Sequence, residues 1–305
     1  MKDLMTIIEL KTGKKVEAAN EGVAVALGNF DGVHAGHRKV LGETVKAAAE
    51  KRIGSAAWCL LTKAKGGEYL TTPAEKAEII KKLGLDYVIF EDFERIKDMS
   101  PEEFVQGYLA PLGCQMALCG FNFRFGKGAA ADSETLSHLC RMSGISSRLV
   151  PAVIAGDAPV SSTRIRELIK DGRVDEAEEL MTEPYFLTST VTRGRRLGKS
   201  FGFPTINQKF TEGKIVPRHG VYFTKTEIDG VLRDSVSNVG SRPTVDGHEC
   251  RLETHILGVE CDLYGEAPTV YFKKFRRPET KFSSEDELCR TVAEDIAAAK
   301  EFFSK

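Results

Sequence analysis

Two histidines in the stretch GNFDGVHAGH, residues 28–37, place imidazoles three positions apart at His34 and His37, directly before a helical pattern. A helix start already presents free N–H groups and the positive end of the helix dipole to an anion. A neutral imidazole adds a hydrogen bond to a phosphate oxygen, and an imidazolium offsets charge that builds on a departing pyrophosphate. The chemistry that fits is attack on a nucleoside triphosphate. Zinc fits less well, because no third and fourth ligand lies at a plausible spacing. Two ordinary turn histidines remain the plain alternative.

Three further stretches carry chemistry. SSTRIREL at 161–168 sets Ser162, Thr163 and Arg164 around a second helix start, with either Ser161 or Ser162 as cap. RGRRLGKSFGFPTIN at 193–207 interleaves Gly194, Gly198 and Gly202 with three arginines and Lys199, a composition that lets backbone N–H groups and positive charge approach phosphates. Its end spaces Thr205 and Asn207 two apart, so on an extended segment both oxygens face one side and suit a hard cation such as Mg²⁺. In RLETHIL, 251–257, Glu253 and His255 share the polar face of a strand. Glu253 is either a solvated surface carboxylate or a base for a hydroxyl proton.

The elements that must hold these groups follow from periodicity. From Val23 to about Val153, buried-strand runs (VAVAL, SAAWCLL, DYVIF, QMALCG, SSRLVPAV) alternate with helical patterns. One of these, SPEEFVQGYL, opens with a capping box from Ser100 to Glu103. The alternation predicts an α/β, Rossmann-like domain with a parallel doubly wound sheet, and GNFDGVHAGH leaves the carboxyl end of its first strand. After MTEPY the helical rhythm stops, and β-branched and aromatic runs continue to a last helix, SEDELCRTVAEDIAAAKEFF. That half predicts a small antiparallel β-barrel with a C-terminal helix, including a hairpin at Asp229-Gly230. The expected domains are residues 1–183 and 184–305.

Composition limits the partners. The chain has 305 residues and a net charge of −1, from 43 basic and 44 acidic side chains, so no general nucleic-acid surface is expected. Seven scattered cysteines without a C-x-x-C pair predict reduced thiols. The first residues lack a signal-peptide core and no run approaches a membrane helix, so a cytoplasmic protein away from membranes is expected.

GNFDGVHAGH and SSTRIR resemble the HxGH and ISSTxxR motifs of the nucleotidyltransferase superfamily, and GFNFRFG at 120–126 is similar to the middle motif of its bacterial FAD synthetase branch. GFPTIN, LETHIL and KFRRPETKFSS resemble a riboflavin kinase module. In this motif order the chain is similar to bifunctional riboflavin kinase/FAD synthetases from about Val23 to its end. The resemblance implies two steps. Riboflavin and ATP give FMN, and FMN and a second ATP give FAD and pyrophosphate, each with magnesium. It also implies His34 and His37 at the ATP phosphates together with Gly28, Phe30 and Asp31 of the same motif. Asn122 goes to the nucleotide site, and Ser162, Thr163 and Arg164 go to the outer phosphates. In the second half it implies Gly194, Gly198, Lys199 and Gly202 around ATP, Thr205 and Asn207 at Mg-ATP, and Glu253 as base toward the ribityl 5′-hydroxyl.

This chain departs from the family pattern in LLTKAKGGEYLTTPAEK, which has neither the His nor the paired prolines of the usual turn, and in Ala131, where a glycine is usual. Two other readings therefore stand beside the bifunctional enzyme: a kinase whose first domain is weak or redirected, and a flavin-binding regulator without catalysis.

Overall fold

The computed structural model describes residues 6–9, 14–16, 22–61, 68–181, 183–193, 202–244, 247–259 and 262–305. It divides into two compact units, Met1–Ser162 and Thr163–Lys305.

In the first unit the strands β1 (Thr6–Glu9), β2 (Lys14–Val16), β3 (Val23–Leu27), β4 (Gly54–Leu61), β5 (Tyr87–Asp92), β6 (Cys114–Gly120) and β7 (Ser146–Val150) form one sheet in the order β2-β1-β5-β4-β3-β6-β7. Strands β3 to β7 are parallel, as the alternation predicts. β3 is buried along its whole length, which is why VAVAL has no polar position: helices cover both faces of a central parallel strand. β4 and β5 lie on one side of β3, β6 and β7 on the other. The order therefore reverses at β3 and β6, and the loops leaving their carboxyl ends are GNFDGVHAGH and GFNFRFG.

Helices follow their caps. α1 (Ala35–Lys51) starts at His34, α2 (Pro73–Lys82) carries a capping box from Thr72 to Glu75, and short α3 (Phe93–Ile96) starts at Asp92. The predicted capping box from Ser100 to Glu103 is present at α4 (Pro101–Phe104). The helix does not continue as α: Val105–Leu109 is a π turn that buries Val105, Tyr108 and Leu109 together. A single turn of i→i+5 hydrogen bonding leaves no mark in a 3.6-residue pattern. α5 (Ser133–Met142) starts at Asp132, whose side chain accepts the Thr135 N–H. A small hairpin, β8 (Ile154–Ala155) and β9 (Ala158–Pro159), follows β7.

In the second unit α6 (Ser162–Lys170, its first residue ending the first unit) and α7 (Val174–Leu180) precede a six-stranded antiparallel sheet. The strands are β10 (Phe186–Thr188), β11 (Ile206–Lys209), β12 (Gly220–Ile228), β13 (Val231–Thr244), β14 (Gly247–Ile256) and β15 (Thr269–Arg277), in the order β10-β15-β12-β13-β14-β11. An isolated bridge from Thr192 to Asn207 brings the chain after β10 onto β11, so the sheet curls into a barrel-like half-turn. Asp229 and Gly230 turn at φ 50° and 74°, the left-handed pair that a tight hairpin needs. The last helix, α8 (Glu285–Phe303), is capped by Ser284 and carries three acidic residues in its first turn. α7 packs on β15, where Asp175 pairs with Lys274 and Glu178 with Lys273.

Candidate active sites

At the carboxyl end of β3 the backbone turns under strain. Phe30 and Val33 have φ 51° and 38°, beside Gly32 at 76°. Buried anchors hold it there. The Asp31 carboxylate, 1% exposed, accepts the N–H groups of Leu70 at 3.0 and 3.1 Å and of Thr71 at 3.1 Å. The Gly32 N–H donates to Thr71 Oγ1 at 3.0 Å, Lys76 Nζ donates to the Asn29 carbonyl at 2.6 Å, and the Ser162 hydroxyl donates to the Asp31 carbonyl at 2.9 Å.

The loop delivers the two imidazoles as a stack, with ring centroids 3.6 Å apart and planes 18° from parallel. His34 caps α1: its Nδ1 accepts the His37 N–H in a long 3.4 Å contact, so its neutral form carries the proton on Nε2 and can donate from there. Phe30 meets His37 edge-on at 5.3 Å. Gly28 and Gly36 make room for this: a Cβ at 28 would stand 3.0 Å from the Phe30 ring, and one at 36 would stand 3.2 Å from the His34 ring. Gly28 and Phe30 thus shape the stack, and the Asp31 carboxylate faces the 70–71 backbone. Sequence reasoning missed Thr71 and Lys76, because their partners lie 39 and 47 residues away and no local spacing marks them.

Asn122 is exposed in the turn after β6. Ala131, 3% exposed, exchanges both backbone hydrogen bonds with Phe125 at 3.0 and 3.1 Å and does not have a positive φ, so alanine fits there without strain. Thr163 and Arg164 follow Ser162 at the start of α6; Thr163 is exposed and Arg164 half-buried. The loop that departs from the family pattern falls partly at residues 62–67, outside the described residues.

In the second unit, strand register does the assembly. Asn207 pairs with Glu253, Glu253 with Asn238, Asn238 with Val221, and Val221 with Arg277, giving one row across five strands. Directly opposed residues share a face. A cavity of about 300 Å³ opens on that face, lined by Glu253, Asn238 and Arg277 of this row and by Thr205, which precedes β11. Its other wall is α8, where Leu288, Val292 and Ile296 recur every four residues as an apolar stripe. Asn207 is 5% exposed, and its buried Oδ1 has no hydrogen-bond partner among the described residues. A buried oxygen left open beside a carboxylate is the donor a hard cation needs. His255, on the Glu253 face, contacts the Pro204 carbonyl through Nδ1 at 2.8 Å and so holds the segment before Thr205, a clasp that residue type alone does not reveal. Gly202 turns at φ 82°, while Gly194, Gly198 and Lys199 lie outside the described residues.

The FAD synthetase family model matches residues 16–164 and the riboflavin kinase family model residues 181–303. The chain is 32% identical over 295 residues to the bifunctional riboflavin kinase/FMN adenylyltransferase of Bacillus subtilis (strain 168), with 92% of each covered. To the protein of the same description from Escherichia coli (strain K12) it is 32% identical over 299 residues, covering 94% of this chain and 95% of the relative. A crystal structure described as a macrolide-efflux protein from Streptococcus pneumoniae matches with a TM-score of 0.84 and 27% identity over 96% of this chain and 97% of the other. No helix among the described residues is long and apolar enough to cross a membrane.

Proposed function

The chain belongs to the family of bifunctional riboflavin kinase/FMN adenylyltransferases, and from that premise we propose that its two units carry the two activities on the residues described above. Riboflavin and ATP give FMN and ADP in residues 184–305; FMN and ATP give FAD and pyrophosphate in residues 1–183. The observation that carries the kinase assignment is the row Asn207–Glu253–Asn238, of which Glu253 and Asn238 line one cavity and the Asn207 oxygen is open.

In the kinase step Glu253 accepts the proton of the ribityl 5′-hydroxyl as that oxygen attacks the γ-phosphorus, a role worth about 10²–10⁴-fold. The stripe on α8 takes the flat apolar ring of riboflavin, and Gly194, Gly198, Lys199 and Gly202 surround the ATP phosphates. Thr205 and Asn207 are the residues that would hold Mg²⁺, which when bound neutralises phosphate charge. Among the described residues no group of three or more His, Cys, Asp or Glu side chains is placed to hold a metal, and a bound Mg²⁺ would share its oxygen ligands with the nucleotide phosphates.

In the adenylylation step a phosphate oxygen of FMN attacks the α-phosphorus of ATP and pyrophosphate leaves. His34 donates from Nε2, His37 stacks against it, and both meet the charge that grows on the bridging oxygen. Asp31, Phe30 and Gly28 hold that stack. Asn122 serves the nucleotide, and Ser162, Thr163 and Arg164 serve the outer phosphates. The domain boundary we assign lies at 183/184, and the enzyme works in the cytoplasm. Buried thiols fit a reducing compartment: burial pushes Cys59 and Cys140 up to about 11, where they are inert.

The test is turnover. Protein incubated with riboflavin, ATP and Mg²⁺ should form FMN with one ADP each, then FAD with one pyrophosphate each, resolved by chromatography. FMN accumulating without FAD, even when FMN is supplied in excess, would favour the kinase-only reading. Riboflavin binding without either product would favour the regulator.

A further inference from the structure

We propose that Arg277 and Asp295 form a positioning pair that sets the segment 278–282 as a strap over the kinase cavity and so determines riboflavin affinity, an inference that rests on assigning that cavity to riboflavin. The strap joins β15 to α8, and its side chains Glu279, Thr280 and Phe282 line the cavity. Arg277 ends β15, where its guanidinium reaches helix and strap at once. Nε and Nη2 donate to Asp295 Oδ2 at 3.0 and 2.8 Å, while Nη1 donates to the Pro278 carbonyl at 3.2 Å and to Thr280 Oγ1 at 3.4 Å. The Phe282 ring centre lies 5.9 Å from the guanidinium carbon.

The anchor is firm. Asp295 is 3% exposed on the inner side of α8, and Arg276 Nε approaches its other oxygen at 3.5 Å. A guanidinium gripped by a fork to a buried carboxylate has little freedom left, so whatever hangs on its remaining nitrogen is fixed as well. Across the cavity the strap meets β13: Glu279 Oε1 lies 3.5 Å from Asn238 Nδ2, and Gly240 leaves the space where a Cβ would stand 2.4 Å from that oxygen. The strap is therefore tied to α8 through Arg277 and to the strand beside Glu253 through Glu279. Every nitrogen of Arg277 is engaged in this bracing, so it acts through the strap rather than on a reacting phosphate. A flat aromatic ring lying on the α8 stripe is closed in by Phe282 and Thr280 only while the bracket holds.

The test uses the full-length protein and riboflavin itself. In Asp295→Asn the shape stays and the charge goes. Riboflavin binding, read by quenching of flavin fluorescence, should weaken about tenfold, and the riboflavin KM should rise with it. The kcat and the ATP KM should hold. Thr280→Ala, at an exposed loop position, should weaken riboflavin binding less and should add nothing in the Asp295→Asn background. Undiminished riboflavin affinity in folded Asp295→Asn, additive effects in the double variant, or parallel losses in kcat and ATP affinity would overturn the pair. If Asp295→Asn does not fold, Thr280→Ala decides: weaker binding supports the strap, and unchanged binding refutes it. Failure of the parental protein to bind riboflavin would instead refute the cavity assignment itself, and the pair with it.

Discussion

The two imidazoles are an instance of residues whose types were legible and whose supports were not. HxGH spacing points to a helix start and an anion. The 3.6 Å stack of His34 on His37, and its dependence on Asp31 gripping residues 70 and 71, follow from contacts across 39 residues of chain. His37→Ala is expected to lower FAD formation from supplied FMN by about 10²–10³-fold, the loss seen when one preorganised donor is removed. ATP affinity should fall far less, because the charge it meets appears only as the bond breaks; single-turnover rates beside nucleotide titration check this. A second residue-scale expectation concerns Glu91. It is 1% exposed at the end of β5, and burial lifts its carboxyl above the usual range, against the opposing pull of the Asp92 N–H and Arg95. A folded pKa above the unfolded one means that its contribution to stability is complete at acid pH and is lost as pH rises through the folded value. Glu91→Gln should therefore melt at least as high as the parent at pH 7, with the advantage fading toward pH 4. A lower melting temperature at pH 7 would contradict this.

Elements with a strong period and clear caps read correctly from sequence. α5 needs only its apolar spacing, and β12 only its run of β-branched and aromatic residues. Others leave no such mark. β1 joins the parallel sheet antiparallel to β5, and β2 pairs antiparallel with β1 at the sheet edge, positions that long-range pairing decides. VDEAEEL in α7 is so acidic that its few apolar residues suggest solvent, yet Val174, Ala177 and Leu180 are buried. The same limit applies to glycine: Gly36 reads as a turn residue, and the structure shows it as a clearance. Gly36→Ala places a methyl 3.2 Å from the His34 ring, which must shift by a few tenths of an ångström to accommodate it. Misplacement by a fraction of an ångström to an ångström should cost adenylylation about 10–10²-fold. Riboflavin phosphorylation is the control and should not change; equal loss of both activities would mean general damage rather than a displaced imidazole.

At the scale of the whole chain, the motif order predicted two catalytic halves, while the compact units divide at 162/163, ahead of the 183/184 boundary we assign. α7 lies between these positions and is bound to β15 through the Asp175–Lys274 and Glu178–Lys273 pairs. A fragment from 163 to 305 is thus expected to melt higher than one from 184 to 305, with both retaining riboflavin kinase activity. Calorimetry on the two fragments decides whether α7 belongs with the kinase. The central claim is that the two steps use separate residues, Glu253 in one unit and His37 in the other, and mixing tests it most directly. Glu253→Gln protein alone should make FMN from riboflavin about 10²–10⁴-fold more slowly but convert supplied FMN to FAD at the parental rate. His37→Ala protein alone should accumulate FMN and form FAD only about 10²–10³-fold more slowly, and an equimolar mixture of the two should make FAD from riboflavin faster than either variant alone. If each folded variant loses both activities and the mixture yields no FAD, the two-site account is wrong.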